Sequence, residues 1–133
     1  MSVLNYIVTK LQSGIITFIN AVTLANRDYP YHDFHTDTMK VTQEHFRVGE
    51  NNRGRDGSQT KLFTSKSTLI IATTNAYVTF NSSNNVEDLL LANNFYEFKS
   101  NIRNIFYRYA TEEGTIYIHV DGVLGDEARS EHF

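Results

Sequence analysis

Residues 114–122 read "GTIYIHVDG", and this alternation constrains the chain more than any other stretch. Ile116, Ile118 and Val120 fall on one side of an extended backbone, Tyr117 and His119 on the other, with a glycine at each end. Successive side chains of a strand point to opposite faces, so the pattern specifies a half-buried strand. "ATTNAYVTFNSSNN", 72–85, repeats the device: Ala76, Val78 and Phe80 alternate with Tyr77 and Thr79 before the chain turns polar. Asparagine suits such turns because it tolerates left-handed backbone and bonds its own main chain. "KLFTSK" and "STLIIATTNAYVTFN" predict strands near 61–66, 68–73 and 75–81. A short apolar run, Leu89 to Leu91, is closed by Asn93 and Asn94. In "FYEFKSNIRNIFYRYAT" Ile102, Ile105, Phe106 and Tyr109 would also share a helical face, but the aromatic content favours strand. Short strands at close spacing with turn signals between them predict an all-β fold, a β-sandwich or jelly-roll-like domain.

The rest of the chain adds less. At 133 residues the length suits one domain. Eight Tyr and nine Phe supply bulk, without Trp and with one Pro, which again tilts toward strands. Cysteine is absent, which excludes disulfide scaffolds, thiolate zinc sites and thiol nucleophiles. Residues 3–22 carry apolar positions at helical spacing (Leu4, Ile7, Leu11, Ile15, Phe18), yet Ser13-Gly14 also reads as a turn between two strands. Helix and extended arm both stay open there. Polar interruptions at Asn5, Lys10 and Gln12 argue against a signal peptide or membrane span, so a protein made in a cytoplasm is expected. Residues 25–37 lack a sustained period and read as a loop or extended arm; 39–48 alternate passably around Met39, Val41 and Val48; 49–61 form a long loop. The expected organisation is an N-terminal arm and loop over 1–60, a sandwich core over 61–122 and a tail over 123–133.

Few side chains carry chemistry in a recognisable pattern. "YHDFHTD" gathers His32, Asp33, His35 and Asp37, residue types that bind metals. A helical site needs two histidines four apart, whereas these are three apart, and a strand would send them to opposite faces. A polar loop without metal is the better reading, and a small metal-dependent enzyme is carried only as a rival. "RGRDG" at 53–57 lacks the phosphate-loop frame, and reads as a docking loop whose arginines suit carboxylates on a partner. "RNIFYRY" mixes arginine with aromatics as single-strand nucleic-acid binders do. On a strand, however, Phe106 shares its face with Arg108 and Ala110, and the net charge is −3, so no nucleic-acid partner is expected. The paired acids Glu87-Asp88, Glu112-Glu113 and Asp126-Glu127 offer no facing couple for hydrolysis, and no nucleophile elbow is present. The chain reads as a non-enzyme without cofactor or metal.

What remains is a sandwich with an N-terminal arm or helix and long Asn/Gly loops, a design that suits lying on other proteins. The combination "STLIIATTNAYVTFNSS…LLLANNFYEF…IRNIFYRYATEEGTIYIHVDG", over about residues 66–122, resembles small virion proteins of tailed bacteriophages, namely capsid decoration or cement proteins and head fibres. That resemblance implies a structural protein of the outer capsid surface that binds the major capsid protein and stabilises the assembled shell, commonly as a dimer or trimer, through weak contacts repeated around it. From the loop reading, the expected partner contacts are Tyr29, Tyr31, His32 and His35 on the arm, and Asn51, Arg53, Arg55 and Asp56 on the loop. Two further readings stand beside it. One is a carbohydrate- or receptor-binding β-module of a phage tail or fibre, using Tyr and Asn side chains. The other is an adaptor that dimerises through a helix formed by Leu4, Ile7, Leu11, Ile15 and Phe18.

Overall fold

The computed structural model describes residues 18, 29–51 and 61–124. Eight strands run in the order β1 (Tyr31–Thr38), β2 (Glu44–Arg47), β3 (Thr64–Ala72), β4 (Ala76–Phe80), β5 (Asp88–Leu90), β6 (Phe95–Phe98), β7 (Asn104–Tyr109) and β8 (Thr115–Val123). They form two four-stranded sheets, β1-β8-β3-β6 and β2-β7-β4-β5, with every pairing antiparallel. The ladders join β1 to β8, β2 to β7, β3 to β6 and β4 to β5, the pattern of one long hairpin rolled into two layers. Contacts between β8 and β3 and between β7 and β4 complete the sheets. This strand order is that of a jelly roll.

Alternation sets the core. Ile70 and Ala72 of β3, Ala76 and Val78 of β4, Ile105 and Tyr107 of β7, and Ile116, Ile118 and Val120 of β8 meet between the sheets. Met39, Phe46, Val48, Phe63, Leu90 and Ile102 fill the ends of that core. A smaller cluster lies on the other face of the first sheet, where Phe18 covers Leu69 and Ile71 beside Phe95 and Tyr117. Strand β3 is thus buried on both faces, which is why "TLIIA" runs apolar without alternating. The helix-or-arm reading of residues 3–22 lies outside the described residues apart from Phe18.

Several local expectations need correction. The loop or arm read over 25–37 is strand β1 from Tyr31 onward, and β2 follows, so the sandwich draws two of its eight strands from before residue 61. Within 39–48 only Glu44–Arg47 is strand. The two strands read at 61–66 and 68–73 are one, Thr64–Ala72, interrupted by a bulge between Ser65 and Ser67. Ser65 Oγ holds that bulge by donating to the Ser67 carbonyl, with Thr68 Oγ1 at 2.9 Å. Opposite it, a Cβ on Gly122 would sit 1.8 Å from the Thr64 carbonyl oxygen, so β8 can pass only as glycine.

The asparagines serve the turns. Asn81 and Asn93 have φ of 71° and 65°, the left-handed backbone that asparagine tolerates. Asn81 Oδ1 accepts from the Arg103 and Asn104 amides while its Nδ2 donates to the Asn101 carbonyl, tying the β4–β5 connection to the start of β7. Asn85 Nδ2 donates to the Phe80 carbonyl, and Asn75 Oδ1 accepts the Ala92 amide.

Candidate functional site

Strand β1 divides its polar residues between two faces. Tyr31, Asp33, His35 and Asp37 turn toward the second sheet; His32, Phe34, Thr36 and Thr38 turn away from it. His32 and His35 therefore stand on opposite faces, as their spacing on a strand requires. Because β1 and β2 are the edges of their sheets, the inward residues of β1 meet those of β2 along one seam of the sandwich.

A hydrogen-bond chain fills the seam. Tyr107, only 1% exposed, donates its hydroxyl proton to Asp37 Oδ2 at 2.5 Å, and His35 Nε2 lies 2.8 Å from the same hydroxyl oxygen. With the phenol proton committed to Asp37, His35 must donate from Nε2, which leaves Nδ1 bare as an acceptor. Asn51 Nδ2 donates to that Nδ1 at 3.2 Å. The imidazole stacks on Phe46 with centroids 4.4 Å apart and planes 9° apart. Glu44 of β2 stands beside Asp37, close enough that each carboxyl shifts the other, and its buried Oε2 has no hydrogen-bond partner among the described residues.

The protonation states follow from these surroundings. Burial pushes the Tyr107 phenol above its ordinary range, and the bond to Asp37 adds to this. Burial raises Asp37, but the bond from Tyr107, Glu44 beside it and the nearby His35 outweigh it and leave Asp37 below its ordinary value. Glu44 is raised, first by burial and then by Asp37 beside it. Burial lowers His35 against the opposing pull of Asp37, Glu50 and Asp33. Chemically the arrangement is a clamp: its phenol is locked in the protonated form and linked on both sides.

Asp33 holds the adjoining turn. Its Oδ2 accepts the Gly49 and Asn51 amides at 3.1 and 3.2 Å, and its Oδ1 accepts the Phe34 amide at 2.8 Å. Asn51 Nδ2 also reaches the Phe34 carbonyl at 3.4 Å. Phe34 thus has both outward backbone groups bonded to side chains, which blunts the β1 edge against pairing with another chain. Gly49, at φ 92°, turns the chain where a Cβ would meet the Lys61 carbonyl at 2.2 Å.

On the outward face His32 stacks on His119 at 6.0 Å, and His32 is the direct cross-strand partner of Asp121. His119 is 4% exposed and its buried Nδ1 has no hydrogen-bond partner among the described residues. Burial, with His32 alongside, pushes its pKa down to about 4.

The outward face of the second sheet carries a different arrangement. His45 stacks on Phe106 at 4.6 Å and bonds Asn104 Oδ1 through Nε2 at 2.8 Å. Arg108 lies 4.4 Å over the Tyr77 ring and grips Glu87 with two bonds of 2.9 and 2.8 Å. Next to Tyr77 in register stands Leu89, 48% exposed, followed by Leu91 at 48%, with Val86 at 88% in the preceding connection.

Of the expected contact residues, Tyr31 packs on Phe63 at the core margin, and His35 and Asn51 are brought together in the seam. Tyr29 lies just before β1, and His32 stands on the opposite face in its histidine stack. Arg53, Arg55 and Asp56 lie outside the described residues. Among the described residues no group of three or more His, Asp or Glu is placed to hold a metal ion. Sequence reading missed Tyr107, Glu44 and His119. The alternation of "NIFYRY" does place Tyr107 in phase with buried Ile105, but its partners lie 70 and 72 residues away. No family model, characterised protein or solved structure matches this chain.

Proposed function

We propose that the protein is a non-enzymatic virion structural protein that docks on an assembled phage capsid shell through the outward face of the β2-β7-β4-β5 sheet. The observation that carries this reading is the row of exposed aliphatics at the β5 margin, Val86, Leu89 and Leu91, beside a polar rim. Exposed apolar side chains gathered at one sheet margin suit protein contact. On the same face Arg108, Glu87 and Tyr77 are already fixed against one another, as are His45 and Phe106 nearer its far edge, which lowers the ordering cost of docking. Viral capsid and lectin domains both use jelly rolls, so the fold agrees with this role without selecting it. The partner is the major capsid protein, and a dimer or trimer on the outer surface would multiply weak contacts around the shell.

The runner-up, a carbohydrate-binding module, draws support from the same architecture. Against it, one face of Tyr77 carries Arg108 and one face of Phe106 carries His45. Asn75, Asn81, Asn85 and Asn104 also commit side-chain groups to partners within the chain. Co-sedimentation with heads purified from the phage that encodes the chain separates the two. Wild-type protein pellets with heads and the double variant Leu89→Asp/Leu91→Asp stays in solution. Failure of the wild type to pellet, with binding on a glycan array that Tyr77→Ala abolishes, would transfer the assignment to the carbohydrate reading.

A further inference from the structure

We propose that His35 is a proton-controlled anchor for the turn at 48–51: as a neutral ring it accepts the Asn51 side-chain amide, and protonation at Nδ1 releases that amide from β1. The geometry leaves His35 no other way to accept a proton. Nε2 already donates to Tyr107, whose own proton goes to Asp37, so an added proton must enter at Nδ1, where Asn51 Nδ2 stands 3.2 Å away. Two donors then face each other, and turning the Asn51 carboxamide to present Oδ1 would give up its Nδ2 contact to the Phe34 carbonyl, so the amide nitrogen leaves β1 either way. Of the turn's remaining ties to β1, the Gly49 and Asn51 amides bond Asp33, whose carboxyl burial pushes up, rather than the ring, and they loosen only as the turn opens more often; the Asn51 contact to the Phe34 carbonyl, 3.4 Å, uses the same side-chain nitrogen.

The surroundings make this a change of bonding rather than unfolding. Among the described residues, the ionisable groups near His35 are Asp33 and Asp37 on its own strand, Glu44 on β2, Glu50 in the turn and Tyr107 on β7. Lys40 is the nearby cation and acts on Glu44. The residues that β8 contributes to the core here, Ile116, Ile118 and Val120, are apolar. Carboxylates therefore surround the site of the added charge and tolerate it, while burial keeps the ring neutral until the solution falls below the ordinary histidine range. The clamp of Tyr107 on Asp37 is retained throughout.

The test is an NMR titration of the full-length, isotopically labelled protein from pH 7.5 to 4.5. The His35 ring is expected as the Nε2–H tautomer at pH 7.5. The Asn51 side-chain amide resonances should shift with the His35 midpoint, and the protection factor of the Asn51 backbone amide should fall roughly five- to tenfold, as loss of one ordinary hydrogen bond allows. Asn51→Ala, at an exposed position, keeps the fold and abolishes the pH dependence of that protection factor. An Nδ1–H tautomer at pH 7.5 would overturn the proposal. So would Asn51 resonances that stay fixed while His35 titrates, or a protection change that survives in Asn51→Ala.

Discussion

Acidification from pH 7.5 to 4 removes about 3 kcal/mol of folding stability through His119, and the size follows from its burial. In the unfolded chain its imidazole takes up a proton near 6.5, whereas in the fold it does so only near 4, because the ring is buried, with His32 alongside; its Nδ1 has no partner among the described residues. Between those values the unfolded state binds the extra proton, so stability falls as pH falls and the loss is complete below about 4. A difference of about 2.5 pH units at about 1.4 kcal/mol per unit gives about 3.5 kcal/mol in full, of which about 3 is lost by pH 4, where the folded ring is half protonated. His32 is lowered too and acts in the same direction. Asp121, the cross-strand partner of His32, is the buried acid on this face. Comparing wild type with His119→Leu isolates the histidine from the carboxylates, which are common to both proteins. Urea unfolding followed by circular dichroism at pH 7.5, 6, 5 and 4.5 gives the two curves. The variant is expected to match or slightly exceed the wild type at pH 7.5, since it removes an unpaired buried nitrogen, and to gain more than about 2 kcal/mol on it by pH 4.5. Parallel curves, with a constant difference across the range, would refute the assignment.

Removing the hydroxyl with Tyr107→Phe takes away a charge-assisted bond to Asp37 and the partner of His35 Nε2; the expected loss is about 2–3 kcal/mol, read by urea unfolding at pH 7. Gly122→Ala drives a methyl into the Thr64 carbonyl at the bulge and is expected to cost more than about 3 kcal/mol, visible as insoluble expression or a collapsed melting temperature. Ile118→Ala opens a cavity at a position with no exposure, and the expected cost by chemical denaturation is about 2–5 kcal/mol.

How far the sequence was readable depended on what each strand turns inward. Strand β8 follows its alternation closely, with Ile116, Ile118 and Val120 in the core and Tyr117 and His119 outside, because its inward set is apolar. Strand β4 does the same with Ala76 and Val78. Strand β1 alternates equally well, but its inward set is Tyr31, Asp33, His35 and Asp37, which hydrophobic periodicity does not register. Asp33, His35 and Asp37 are tolerable inside because Gly49, Asn51 and Tyr107 satisfy them, and none of these pairings is visible along the chain. The break read between 66 and 68 is a comparable case. A bulge and a turn share a vocabulary of serine and threonine, and only the β8 register tells them apart. Asparagine was legible as turn chemistry, and Asn81 and Asn93 occupy the left-handed positions that such residues favour.

The proposed role rests on which face meets a shell, and imaging addresses that directly. Cryo-electron microscopy of heads saturated with the purified protein is expected to show jelly-roll density at symmetry-related outer positions, with Leu89 and Leu91 buried against the major capsid protein. Bare heads at saturating protein, or density seated through the β1-β8-β3-β6 sheet, would contradict it.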